Sequence, residues 1–401
     1  MIKKLNILLL IFCLVPRPPF DAGSKLSYPI IAMILVMIIL TKKYKKVNID
    51  LRFILIFISF IALILLSSIS ILVNNTAISS LSYIMRVGFI LLAFIYGYID
   101  FYNKDIEKFK TSILRTINLV LVVEIAIVIT QLFDIRVFHY FYSMNKTLPL
   151  GTLVRVAGTF GNPNLFGWVI IQFSILFLLL ESNLKKRILK IFICLILVFL
   201  SGSRVSLLVF FAAQFVVLLK QQKKDIVFLI TKFPFIIIMG VISVSTLFLF
   251  LYRYQEYFPY MGQIFSVFTT KNLSSVNSFS LRQEMWLEAS MKFDSYQKST
   301  KYLLGMGPGT MKVLDNDYLF SMYNYGFLFS LIQYSPYIYM TIKGLFTRKS
   351  SWLVLILFEY GLFSLITGYQ SETMSGWEYP IIFFYLFGVY LSYSFRERRK
   401  S

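Results

Sequence analysis

Residues 52–73 read RFILIFISFIALILLSSISILV, a single arginine followed by an uncharged apolar run to Val73. A helix needs about 20 such residues to cross the hydrocarbon core of a bilayer, and this stretch supplies them. The pattern recurs along the chain. Apolar runs separated by polar breaks predict twelve spans, near 4–16, 26–41, 52–73, 78–99, 112–133, 164–181, 187–201, 204–220, 226–251, 317–341, 351–368 and 379–395. The first run is broken by Pro16-Arg17-Pro18-Pro19, but no small-residue cleavage site of a signal peptide follows it, so it is read as a span. Composition agrees. Of 401 residues 58% are hydrophobic, 18% aromatic and only 15% charged, whereas a soluble domain carries about 25% charged residues. A soluble enzyme, a disordered chain and a disulfide scaffold are excluded. Cys13 and Cys194 both lie in apolar runs, and the single histidine, His139, leaves no histidine-based metal site. The expected fold is all-α: one polytopic helical bundle over 1–401.

Charge sets the expected orientation. The clusters Lys3–Lys4, Lys42–Arg52, Lys104–Arg115, Lys185–Lys190, Lys220–Lys232, Lys343–Lys349 and Arg396–Lys400 hold 26 of the 40 basic residues. They fall on one side of the predicted spans, which the positive-inside rule makes cytoplasmic, with both termini inside. The net charge of +21 is thereby explained without nucleic acid. The other side carries two long segments, 134–163 and 252–316, and long loops usually carry function. The chemistry is expected there, on the external face.

Four constellations stand on that face. Arg155 precedes Gly158-Thr159-Phe160-Gly161-Asn162-Pro163-Asn164, where Asn162-Pro163 marks a turn and Asn164 can cap the next helix. The free N–H groups of that helix start favour an anion. Ser201-Gly202-Ser203-Arg204 is a tight connection that puts Arg204 at a helix start, against the helix dipole. The large segment contains Arg282, Trp286 and Gly305-Met306-Gly307-Pro308-Gly309 among many rings; rings with polar tips suit a sugar face or the membrane interface. Asp315-Asn316-Asp317-Tyr318 sits at the mouth of the tenth span, where a carboxylate can cap a helix, bind a metal or orient a hydroxyl.

Ionisable groups inside spans are expensive and usually paired. Arg86 lies about 12 Å, and Glu124 and Glu359 about 13 Å, from the external ends of their helices at 1.5 Å per residue. Matching depth predicts that one of the two carboxylates neutralises Arg86, or that Arg86 borders a cavity open to the outside, within reach of substrate.

Taken in order, Arg155…Gly158-Thr159-Phe160-Gly161-Asn162-Pro163-Asn164, Ser201-Gly202-Ser203-Arg204, Arg282…Trp286 and Gly305-Met306-Gly307…Asn316-Asp317-Tyr318-Leu319…Gly326 resemble the O-antigen ligase and Wzy-type polymerase family. The resemblance covers about 155–330. It implies a bacterial inner (plasma) membrane enzyme, inverting and without cofactor, metal or nucleotide sugar. Such an enzyme moves a glycan from an undecaprenyl-diphosphate carrier to an acceptor on the external face. Ligases often have histidine where this chain has Asp315, so the departure favours a capsule or O-antigen polymerase, which elongates a lipid-linked repeat unit. The resemblance places Asp315, Arg204 and Arg282 in catalysis, and Arg155, Asn162, Asn164, Trp286, Asn316 and Asp317 in substrate binding; Arg86 joins the substrate-binding set from its depth inside a span alone. A chain-length regulator and a flippase of the same pathway would be partners. A ligase of the same family is the near alternative. A flippase, the rival from another class, is expected to carry charges along a central path rather than in long loops on one face.

Overall fold

The computed structural model describes residues 6–15, 48–76, 80–102, 104–133, 149–150, 153–221, 277–311, 314–347, 351–369 and 379–400, with a few isolated residues between them. Within these the helices are α1 (Ile7–Leu14), α2 (Leu51–Asn74), α3 (Leu81–Tyr102), α4 (Ile106–Leu132), α5 (Pro163–Leu180) and α6 (Leu184–Leu200), followed by α7 (Arg204–Gln221), α8 (Asn277–Asp294), α9 (Lys301–Leu304), α10 (Asp317–Phe346), α11 (Trp352–Thr367) and α12 (Tyr379–Lys400). Among the described residues the helices are joined by one minimal antiparallel hairpin, β1 (Pro149–Leu150) with β2 (Leu153–Val154). The expected spans at 26–41 and 226–251 lie outside the described residues. Each of the others carries a helix, α1 being only a short one.

By length and composition α2, α3, α4 and α5 can cross a membrane, and α11 is apolar but shorter. The most direct sign of lipid is on α2. Ile54, Ile58, Leu65, Ile69 and Leu72 are exposed at helical spacing, while Phe60, Leu63, Ser67 and Ser70 are buried on the opposite face. Such a continuous aliphatic stripe belongs against hydrocarbon, where a helix satisfies its own backbone. The buried side meets a core of rings: Phe53 lies 5.0 Å from Phe94 and 4.4 Å from Tyr98, and Tyr337 stacks on Phe383 at 4.2 Å.

Helix α4 starts six residues before its apolar run, at Ile106 rather than 112, because Asp105 caps it by accepting from the Glu107 N–H at 3.0 Å. Hydropathy locates the apolar part of a helix; the cap locates its start.

One end of the bundle is stitched by ion pairs. Asp50 accepts from Arg52 and from Arg398, both at 2.8 Å, so the start of α2 is bound to the end of α12. Arg52 also reaches Ser394 at 3.1 Å. Lys104 grips both oxygens of Asp100, and the Lys104 carbonyl accepts from Arg396 at 2.5 Å. Burial of Asp50 pushes its carboxyl up, but the two arginines outweigh this and hold it below the usual carboxylate range. The opposite end, where α2 finishes at Asn74 and α10 begins, holds the candidate site.

Candidate functional site

The site residues fall into two clusters built by different elements, with Arg86 in a cavity of its own. The first cluster is the segment 155–164 entering α5. Asn162, not Asn164, is the N-cap: its side chain accepts from the N–H groups of Asn164 (2.9 Å) and Leu165 (3.3 Å), and Pro163 takes the first helical turn, where no N–H is needed. Asn164 is thereby left on the surface, and its Oδ1 accepts from Arg155 at 3.1 Å. Arg155 is buried, and its Nε donates to the Ser201 carbonyl at 2.9 Å. The first two motifs thus meet, through backbone as well: the Val156 N–H reaches the Leu200 carbonyl at 3.2 Å. Arg204 follows three residues after Ser201 as the first residue of α7, half-buried. Ser203 caps that helix, its Oγ accepting from the Ser206 N–H at 3.3 Å.

The 155–164 segment is held by two side chains of α4 that lie outside the motifs, Gln131 and Glu124. Gln131 of α4 accepts from the N–H groups of Ala157 and Gly158 and donates to the Gly158 carbonyl. Glu124, one turn-pair deeper, accepts from the Thr159 N–H at 3.0 Å and from its hydroxyl at 2.6 Å. Both carboxylate oxygens are therefore engaged with Thr159, and the expected partnership of Glu124 with Arg86 is corrected. Equal depth says nothing about which way round its helix a side chain points.

The second cluster is built on a broken helix. Gly326 interrupts α10 with φ 83° and ψ 178°, and the carbonyls just before it lose their helical donors. The glycine-rich segment replaces them: the Met306 N–H reaches the Tyr323 carbonyl at 2.8 Å and the Gly307 N–H the Asn324 carbonyl at 3.1 Å. Asn324, fully buried, adds its Oδ1 as acceptor for the Met311 N–H at 3.0 Å. A Cβ at Gly326 would strike the Leu303 carbonyl, and one at Gly305 the Asn324 carbonyl. Backbone lies on backbone here, so both positions must be glycine. The segment is also tied to α2, where Ser70 donates to the Leu304 carbonyl (2.6 Å) and Asn74 to that of Gly305 (3.2 Å).

From this platform the chain runs to Asp315. The predicted long loop contains α8, whose inward residues Arg282, Trp286, Ala289 and Phe293 follow helical spacing. Trp286 donates its indole N–H to the Leu314 carbonyl at 2.7 Å and meets the Tyr369 ring edge-on. One turn earlier, Arg282 Nε contacts Asp315 Oδ2 at 3.2 Å, with 42% of the Asp315 side chain exposed. Asp315 has φ +49°, a left-handed backbone that aspartate tolerates better than most residues.

Neither aspartate caps α10. Asn316 does, accepting from the Leu319 N–H at 3.1 Å. Asp317 is the first helical residue and fully buried. Its carboxylate accepts from the Met374 N–H, and its own N–H reaches the Gly368 carbonyl at 2.7 Å. It locks α10 to the end of α11, a structural task, so Asp315 alone of the pair is open to a ligand.

Arg86 sits with its guanidinium 4.9 Å from the centre of the Tyr83 ring and 6.0 Å from that of Phe320. It lines a narrow, mostly apolar cavity between α2, α3, α10 and α12, together with Phe60, Tyr325, Gln333, Met374 and Phe384. Neither Glu124 nor Glu359 lines it. Met374, which lines this cavity, donates its N–H to the Asp317 carboxylate.

The fold and these clusters define a helical membrane protein with polar machinery gathered at one end. Comparison with protein-family profiles and with characterised protein sequences found no match.

Proposed function

We propose that the protein is a polysaccharide polymerase. It transfers a glycan from a polyprenyl-diphosphate carrier to the hydroxyl of a lipid-linked repeat unit, at the membrane face opposite its basic clusters. The observation that carries this reading is the pairing of Arg282 with the exposed Asp315 beside the Asn316 cap of α10. A glycan transfer of this kind needs fixed positive charge where the diphosphate leaves and an acceptor for the incoming hydroxyl's proton. Arg282 and Asp315 supply the two. Arg155, bonded to Asn164 at the N-terminus of α5, and Arg204, at the start of α7, supply further positive charge for phosphate oxygens. The reaction requires no cofactor in this reading.

The test is polymer formation in membranes supplied with lipid-linked repeat units. Asp315→Asn keeps the shape and removes the base, so chain extension should stop while the protein stays abundant. Near-normal polymer from this variant rejects Asp315 as base. Reporter fusions at Lys223 and Ser275 test the orientation: both on one side would remove the basis for placing the chemistry outside.

A further inference from the structure

The Arg282–Asp315 pair is only half made. One guanidinium nitrogen meets one carboxylate oxygen at 3.2 Å, and among the described residues no other hydrogen bond or ion pair engages either side chain. Both terminal nitrogens of Arg282 and the Oδ1 of Asp315 are uncommitted. The backbones on either side are fixed, by contrast. Trp286, one turn along α8, is bonded to the Leu314 carbonyl, and Asn316 is committed to capping α10. A loose contact between two well-held supports is suited to exchange.

Building on the polymerase reading, we propose that the donor's diphosphate displaces Asp315 from Arg282, and that this exchange unmasks the base. A carboxylate engaged by a guanidinium has less negative charge to offer an approaching hydroxyl. A diphosphate carries more charge than a carboxylate and presents oxygens that match the planar fork of arginine in two bonds instead of one. With Arg282 turned to the diphosphate, Asp315 is released toward the acceptor. The acceptor hydroxyl oxygen then bonds to the anomeric carbon of the donor. The bond from that carbon to the diphosphate oxygen breaks, its electron pair leaving on the diphosphate, where Arg282 receives it. The hydroxyl proton passes to Asp315. The acceptor is therefore activated only when a donor is in place.

The exchange makes Asp315 an internal competitor of the donor, which binding measurements detect. The full chain in nanodiscs is titrated calorimetrically with a short-chain polyprenyl diphosphate. Asn also adopts the left-handed backbone of position 315, so Asp315→Asn keeps the fold and removes the competitor. It should bind the diphosphate about three- to tenfold more tightly than the native chain, because a larger fraction of Arg282 is free. Arg282→Gln should bind about tenfold more weakly, and in its background Asp315→Asn should give no gain. A gain of equal size in the Arg282→Gln background is mere removal of a nearby negative charge and overturns the exchange, as does unchanged or weaker binding by Asp315→Asn alone. Both outcomes leave the diphosphate donor standing. Absence of binding by the native chain overturns the donor reading, and the exchange with it.

Discussion

The two ends of the bundle use the same charged residues in opposite ways. At the basic end Asp50 receives two arginines, both on one oxygen, and Asp100 receives Lys104 on both oxygens. These pairs join α2 to α12 and close the turn between α3 and α4. At the other end Arg282 and Asp315 share one long contact and keep most of their bonding capacity. Short, buried, multiply bonded pairs in a bundle are fasteners. A charged pair with unused donors and acceptors, half exposed on rigid supports, is arranged for a visiting ligand.

This contrast predicts a graded series of effects. The largest belongs to Asp315→Asn, which should lower polymerisation by about 10²–10⁴-fold, the usual worth of a general base, with little change in abundance. Asp317→Asn should do the reverse, lowering yield and thermal stability because its buried oxygen accepts the Met374 N–H, while folded molecules keep most of their turnover. A dead but stable Asp317→Asn would exchange the roles of the two residues.

Gly326→Ala comes next. It forces a side chain against the Leu303 carbonyl at a positive φ, which costs about 1–3 kcal/mol, and it should lower the melting temperature by several degrees in a detergent thermal scan. Trp286→Phe is smaller. It retains the ring and removes one hydrogen bond to the Leu314 carbonyl, worth about 1 kcal/mol. It should reduce turnover about fivefold, through the alignment of Arg282 with Asp315, and lower stability by about the worth of that one bond.

The smallest effect lies at the basic end and concerns pH. The Asp50 carboxyl is held below its ordinary range. Its contribution to stability is therefore complete above the unfolded value, near pH 4, and is lost as pH falls through the lower folded value. Asp50→Asn should be less stable than the native chain at neutral pH, and the difference should shrink as the medium is acidified below about pH 4. Polymerisation near neutral pH should be almost indifferent to this substitution once folded protein is normalised.

Much of this arrangement is legible in the sequence, for identifiable reasons. Helix positions follow from apolar runs of bilayer length, but the caps do not: the sequence points to Asn164 and to an aspartate, whereas Asn162 and Asn316 take those places. Motif adjacency also hints that Arg155, Ser201 and Arg204 belong together. Hydropathy hides α8, because its mean composition is neither apolar nor charged; only the four-three-four spacing of Arg282, Trp286, Ala289 and Phe293 marks it. The break in α10 is visible as Gly326, but not the loop that repairs it, since that pairing joins residues far apart in the chain. The role of Glu124 is hidden for a related reason. Depth along a helix is countable from sequence, whereas direction around it depends on neighbours.

In the proposed transfer Asp315 acts on a donor held by Arg282. The most direct measurement is single-turnover transfer by purified Asp315→Asn in nanodiscs, saturated with a polyprenyl-diphosphate-linked repeat unit. A folded variant that binds the donor at least as tightly as the native chain, yet transfers at least about a hundredfold more slowly, is the predicted result. Transfer within a few-fold of the native rate would contradict it.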